Sequence, residues 1–276
     1  LDGGEVSGIR HAELVNWKGQ ALLCPRNRVH ELAERWQAVV SRPGVYFLIG
    51  AEELAGRQVY VGEAEDVLER LKQHLAKKEF WQEVLIFSSK DENLTKSHVK
   101  YLDARLVDQA RKAGRYMVQN GNQPPQSGLP LADRDAMEEF LQQVPLLLGV
   151  LGHRVLDGLT SATTLTAGQL KVSYVVKDAK AFGAVTDEGL VVFKGSTALK
   201  GTTDAMAPGW VAFKIALVAS GKLADTGSLL VFTEDVLFNS PSAAAAVVYG
   251  NNTNGRLAWK ADDGRTLKEI EAAEGA

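Results

Sequence analysis

The stretch "PGVYFLIGAEELAGRQVYVGEAEDVLERLKQHL", residues 43–75, decides the fold. Pro43-Gly44 breaks whatever precedes it. "VYFLIG" then reads as a buried strand, "EELAGR" as a turn and "QVYVG" as a second strand. So short a connection, with Gly56 in it, predicts an antiparallel hairpin, because a parallel crossover needs a dozen residues or more. Asp66 is placed as the N-cap or first-turn residue of a helix, with Glu63 and Glu65 alongside. Carboxylates there suit the positive end of a helix dipole. Val67, Leu68, Leu71 and Leu75 form the apolar stripe of that helix, and Arg70 and His74 share a neighbouring face by i, i+4 spacing.

Working outward, "GIRHAELVNW" and "QALLCP" are short strand-like pieces, followed by a helix from about Arg28 to Val40. After the central stretch, "EVLIFSS" is a third strand. A long helix runs from about Leu94 to Gly114, with the glycine as its stop. Asp103 falls at the border of that helix's buried stripe, where a metal or a basic partner has to justify it. "NGNQPPQSGLP" is a loop, and a further helix from Ala132 is interrupted or ended near Pro145. The texture changes near Leu156. Beyond it, "QLKVSYVVKDAKAFGAVTDEGLVVFKGSTA" reads as three short strands. A helix follows over about Gly209–Ser220, then a strand at "SLLVFT". "SPSAAAAVVYG" is a helix capped by Ser240 with Pro241 in its first turn, "NNTNG" a turn and "RLAWK" a short strand. The expected class is α+β. A small, mostly antiparallel sheet flanked by helices occupies residues 43–156, residues 1–42 pack onto it, and residues 157–276 form a second small α+β domain.

Composition narrows the function classes. The 276 residues carry a net charge of −3, so whole-chain charge gives no support to nucleic-acid binding. Locally, the helix from Lys96 to Arg115 gathers Lys96, Lys100, Arg105, Arg111, Lys112 and Arg115 against Asp103 and Asp108 alone. Such a face is either solvated or a phosphate track. The single cysteine, Cys24, excludes a disulfide framework and a cysteine-rich zinc site, and fits a reducing compartment. The longest apolar run, "VPLLLGVLG", is roughly half of what spans a bilayer, and "LDGGEVSGIR" has no apolar signal region. The expectation is a cytoplasmic protein with no membrane partner.

Taken singly, the polar residues of the opening stretch have ordinary readings. Tyr46 and Tyr60 are good strand formers. Arg70 can pair with Asp66, and His74 can face the negative end of its helix. Their ordered combination is more specific. "GVY" (44–46) and "YVG" (60–62) on consecutive strands resemble the paired motif of the GIY-YIG nuclease family. Arg70 ten residues after Tyr60, and His74 four further on, extend the likeness, as do an acid on a later helix and Asn120 after it. The resemblance covers roughly residues 43–122. "FWQEVLIFSSKDENLTKSHVKYLDARL" is similar to one bacterial branch of the family. "SPSAAAAVVYGNNTNGRLAWK" resembles an uncharacterised C-terminal domain often attached to that branch.

The resemblance implies a DNA endonuclease using one Mg²⁺ or Mn²⁺ ion. Tyr46, Tyr60, Arg70 and His74 are its implied catalytic residues and Asp103 its metal ligand. Gly62, Asn120, Lys96, Lys100 and Arg105 are implied in substrate binding or support. Physical chemistry agrees with these residue types. Neutral imidazole accepts a proton from a phenol or water, and a guanidinium fork matches phosphate as lysine does not. Two departures matter. The family places a glutamate where this chain has Asp103, and Glu63 stands where some members have a basic residue. They keep open an alternative, a DNA-binding or adaptor protein with an impaired core.

Overall fold

The structure, a computed structural model, describes residues 8–53, 56–125, 127–159, 165 and 169–274. It divides into two compact units, one lying within residues 1–157 and the other made chiefly of residues 158–276.

The first unit runs β1 (Arg10–Glu13), β2 (Gly19–Pro25), a 3-10 turn (Arg26–Arg28), α1 (Val29–Arg35), α2 (Gln37–Val40), β3 (Gly44–Glu53), β4 (Gly56–Ala64), α3 (Val67–Lys77), β5 (Trp81–Ser89), α4 (Lys96–Ala113), β6 (Met117–Val118) and α5 (Leu131–Val150). Its six strands are ordered β1-β2-β5-β3-β4-β6. The neighbours β3 and β4 are joined by residues 54–55 alone, so the expected hairpin is present, although the tip of its turn lies outside the described residues. β3 and β2 each pair antiparallel with β5, whereas β6 pairs parallel with β4 through Gln58↔Met117 and Val59↔Val118. The N-terminal segment does more than pack on this sheet. β2 is bonded into it from Gly19↔Ser89 to Pro25↔Glu83.

Strand alternation sorts the side chains onto two faces. Val45, Phe47 and Ile49 of β3, with Val59 and Val61 of β4, meet Val99, Leu102 and Leu106 of α4 and Phe140, Val144 and Leu147 of α5. Tyr46 and Leu48 point the other way and meet Leu32 of α1, Val40 of α2 and Val67, Leu68 and Leu71 of α3. Sequence punctuation is obeyed where it is strongest. The Asp66 carboxylate accepts the Glu69 N–H at 3.0 Å to cap α3, and Gly114 ends α4 at φ 67°. His98 completes a capping box with Thr95, a structural role.

Two expectations are corrected here. The helix over 28–40 is two helices, because Trp36 leaves helical geometry at φ −125° and ψ 14°. α5 runs through Pro145 without ending, since Val144, Leu147 and Leu148 on both sides of it are buried in the core. Packing outweighs the hydrogen bond that the proline removes.

The second unit runs β7 (Lys171–Val176), β8 (Ala179–Thr186), β9 (Gly189–Val192), β10 (Thr197–Leu199), α6 (Pro208–Ala219), β11 (Leu223–Asp225), β12 (Leu229–Phe232), β13 (Val236–Phe238), α7 (Pro241–Tyr249), α8 (Gly255–Ala258) and α9 (Leu267–Glu274). Its strands form two sheets, β13-β9-β8-β7 and β10-β12-β11. Helix α7 is buried along Ala243–Val248, which makes it the core of this unit. Ser240 caps it as expected, accepting the Ala243 N–H at 3.2 Å. The stretch "RLAWK" is not a strand. Asn254 caps Arg256 at 3.1 Å, a helical turn follows, and Trp259 is buried with its indole N–H on the Pro241 carbonyl at 3.0 Å. Leu257 and Trp259, both apolar and two residues apart, imitate one face of a strand, yet Trp259 is buried and Leu257 is exposed.

Candidate active site

β3 and β4 bring their tyrosines to the face that α3 covers. Tyr46 is wholly buried, and its hydroxyl lies 2.8 Å from Nε2 of His74. Tyr60 meets the same imidazole edge-on, with ring centres 5.5 Å apart. The guanidinium of Arg70 is near enough to both phenols for its charge to act on them, and it donates to Gln73 Oε1 at 2.9 Å. Arg70 therefore does not spend itself on Asp66.

Both motif glycines have a steric cause. A Cβ on Gly62 would lie 2.5 Å from the Tyr46 hydroxyl oxygen and 2.6 Å from Cζ. A Cβ on Gly44 would lie 2.6 Å from the Phe87 carbonyl oxygen of β5. Glycine at 62 lets β4 approach the phenol, and glycine at 44 lets β3 approach β5. Asn120 fixes the register of the first of these strands. Its side chain accepts the Val61 N–H at 3.0 Å and donates to the Val61 carbonyl at 2.8 Å, so it continues the β4–β6 pairing beyond Val59 and Val118. Arg111 in turn holds the Asn120 carbonyl at 2.6 Å.

The protonation states follow from burial and charge. Burial pushes the Tyr46 phenol above its ordinary range, against the pull of Arg70. The Tyr60 phenol is raised for the same leading reason. Burial lowers His74 to about 4, helped by Arg70, Lys78 and Lys77. At neutral pH the pair is therefore a neutral phenol hydrogen-bonded to a neutral imidazole, with a cationic fork near it. Burial raises Asp103 to about 7, with the charge of Glu63 adding to it.

Asp103 projects from α4, on the opposite side of the sheet, yet its charge reaches Tyr46, Tyr60 and Glu63. It is 8% exposed, and its Oδ1 is buried without a hydrogen-bond partner. A buried carboxylate oxygen left without a donor is what a hard cation satisfies. Among the described residues no cluster of three or more histidine, cysteine or acidic ligands exists. The donor set therefore suits an ion held by one or two carboxylates and completed by water and a phosphate.

The expected basic track on α4 is largely tied up. Lys96 bonds Glu65 at 2.7 Å, Arg105 turns to Glu138 of α5 at 2.8 Å, and Lys112 pairs with Asp108 at 2.8 Å. Lys100 is exposed. Two residues near the site were missed in the sequence. The Lys78 ammonium lies 4.1 Å from the centre of the Tyr60 ring, and Arg26 grips the end of α3 through the Lys78 and Leu75 carbonyls at 2.6 and 2.9 Å. Lys78 was legible, since Arg70, His74 and Lys78 form an i, i+4, i+8 series. Arg26 gave no local signal, because its partners are some fifty residues away.

A family described as a domain of unknown function, DUF4357, matches residues 172–271, within the second unit. No curated protein matches the chain. No solved structure matches it.

Proposed function

We propose that the first unit is a divalent-metal-dependent endonuclease of the GIY-YIG kind, acting on DNA phosphodiesters. The observation that carries this reading is the Tyr46–His74 hydrogen bond at 2.8 Å, within reach of the charge of Arg70 and closed over by Gly62. A neutral imidazole behind a phenol is a proton acceptor one step removed from solvent. Water beside Tyr46 gives its proton to the phenolic oxygen as the phenol passes its own to Nε2 of His74. The resulting hydroxide bonds to phosphorus, and the bond from phosphorus to the 3′-oxygen breaks. The leaving oxygen takes a proton from solvent, which yields a 3′-hydroxyl and a 5′-phosphate. Arg70 and Lys78 face the phosphoryl oxygens with positive charge. Mg²⁺ or Mn²⁺, when bound, would supply further charge to those oxygens, and Asp103, with its unpartnered Oδ1, is the residue fitted to hold it.

A second reading is favoured by one observation. Asp103 is so buried that its carboxyl is held near 7, and aspartate is one methylene shorter than glutamate. In that reading the core binds DNA without cutting it. Relaxation of supercoiled plasmid by the full chain with Mn²⁺ or Mg²⁺ separates the two. The nuclease reading expects nicking by wild type and none by Tyr46→Phe. Equal background in both overturns it, and cleavage seen only with Asp103→Glu supports the second reading.

A further inference from the structure

The outer face of the β7–β8 pair in the second unit carries an aromatic side chain that the core does not use. Along β8 burial alternates, with Ala179, Ala181 and Gly183 buried while Lys180 and Phe182 are exposed. Phe182 remains 53% exposed in mid-strand. Register fixes its neighbours. Ser173 of β7 pairs with Phe182, Val175 with Lys180, and Lys171 with Ala184. On the far side of β7, Lys260 pairs with Ser173 through backbone bonds of 2.7 and 2.9 Å. Directly paired residues share a face. Lys171, Lys180 and Lys260 therefore surround Phe182 and Val175, and the outward positions of β7 and β8 hold no carboxylate. Glu269 is near enough to Lys260 to feel its charge, but it is hydrogen-bonded to Thr266 at the start of α9.

An exposed aromatic on a sheet, ringed by lysines, has the chemistry of a base-stacking platform. A peptide partner of opposite charge would leave the ring without a flat partner. Duplex DNA offers phosphate but keeps its base faces stacked inside. We propose that this face binds a single-stranded nucleic acid, one base stacking on Phe182 while Lys171, Lys180 and Lys260 meet the backbone phosphates. The site lies in the second unit and does not depend on the phosphodiesterase reading.

The test uses the full chain carrying Tyr46→Phe, in EDTA, titrated with a fluorescein-labelled oligonucleotide of about 12 residues, a length within the range of known single-strand sites. Single-stranded DNA, single-stranded RNA and duplex DNA are separate arms. Single strands of either sugar are expected to bind more tightly than duplex. Phe182→Ala weakens them by about 5- to 160-fold, the range for one stacked base. Lys180→Gln lowers the slope of log K against log salt by about 0.7. Ile215→Ser, which alters another exposed apolar residue of the same unit, leaves binding unchanged. Phe182 is half exposed, so loss of fold is not expected, and a thermal melt of each variant checks this. The proposal is overturned if Phe182→Ala binds single strands like its parent, if duplex is preferred, or if Phe182→Ala instead dissolves a dimer. The binding arms use Tyr46→Phe in EDTA and read no cleavage, whereas plasmid nicking by the wild-type chain reads the nuclease alone, so failure here and failure of the nuclease reading are distinguishable.

Discussion

Gly62→Ala probes the closeness of β4 to the Tyr46 phenol. The added methyl would sit 2.5 Å from the Tyr46 oxygen, 2.6 Å from Cζ and 2.9 Å from Cε2. Ordinary contact begins near 3.4 Å, so the ring and strand must separate by about 1 Å. Neither is free to yield. Tyr46 is fully buried beside Leu48 and Leu71, and β4 is held at Val61 by both ends of the Asn120 amide. Overpacking of this kind costs about 1–3 kcal/mol, or roughly 2–10 °C of melting temperature in a unit of this size. The same displacement breaks the 2.8 Å contact to His74, and about 1 Å of misplacement lowers a catalytic rate on the order of 100-fold. Thermal unfolding followed by circular dichroism, with nicking rates on the same samples, reads both effects. Gly128→Ala is the control, since its methyl would meet nothing within 4 Å. If Gly62→Ala melts and cuts like wild type, the steric account of the motif glycine is wrong.

Two buried titrations at the site oppose each other in acid. His74, lowered to about 4, binds fewer protons folded than unfolded, so its contribution is present above its unfolded pKa near 6.5 and is lost as pH falls to 4. Asp103, raised to about 7, binds more protons when folded, so acidification from 7 towards 4 restores stability. Each is worth about 3–4 kcal/mol over its window. Relative to wild type, urea denaturation at pH 7.5 and 4.5 should show Asp103→Asn losing stability on acidification and His74→Gln gaining it. Identical pH slopes in all three proteins would contradict the assigned environments. For the metal, calorimetric titration with Mn²⁺ should give one site in the wild-type chain and a loss of roughly 10-fold or more in affinity for Asp103→Asn. Unchanged binding would remove Asp103 as the ligand.

Local chemistry was legible and long-range pairing was not. Asp66, Gly114 and Ser240 announced helix ends, because caps act within one turn of their own position. The hairpin was legible because a short polar interval between two apolar runs leaves few alternatives. The pairing of β2 with β5 spans some sixty residues, and nothing in either strand names its neighbour. Pro145 and "RLAWK" misled for a shared reason, since burial of the surrounding residues overrode a local signal. The i, i+4 pair of Arg70 and His74 was readable, whereas the turning of Arg105 towards Glu138 depends on where α5 packs.

The central claim is that Tyr46 and His74 together activate water against a phosphodiester. Single-turnover cleavage of a labelled DNA in ¹⁸O-water tests it most directly, with the products and the protein both examined by mass spectrometry. The account predicts one ¹⁸O in each new 5′-phosphate, no adduct on Tyr46, and no product from Tyr46→Phe. A covalent Tyr46–DNA intermediate, or labelled product formed at the wild-type rate by Tyr46→Phe, would contradict it.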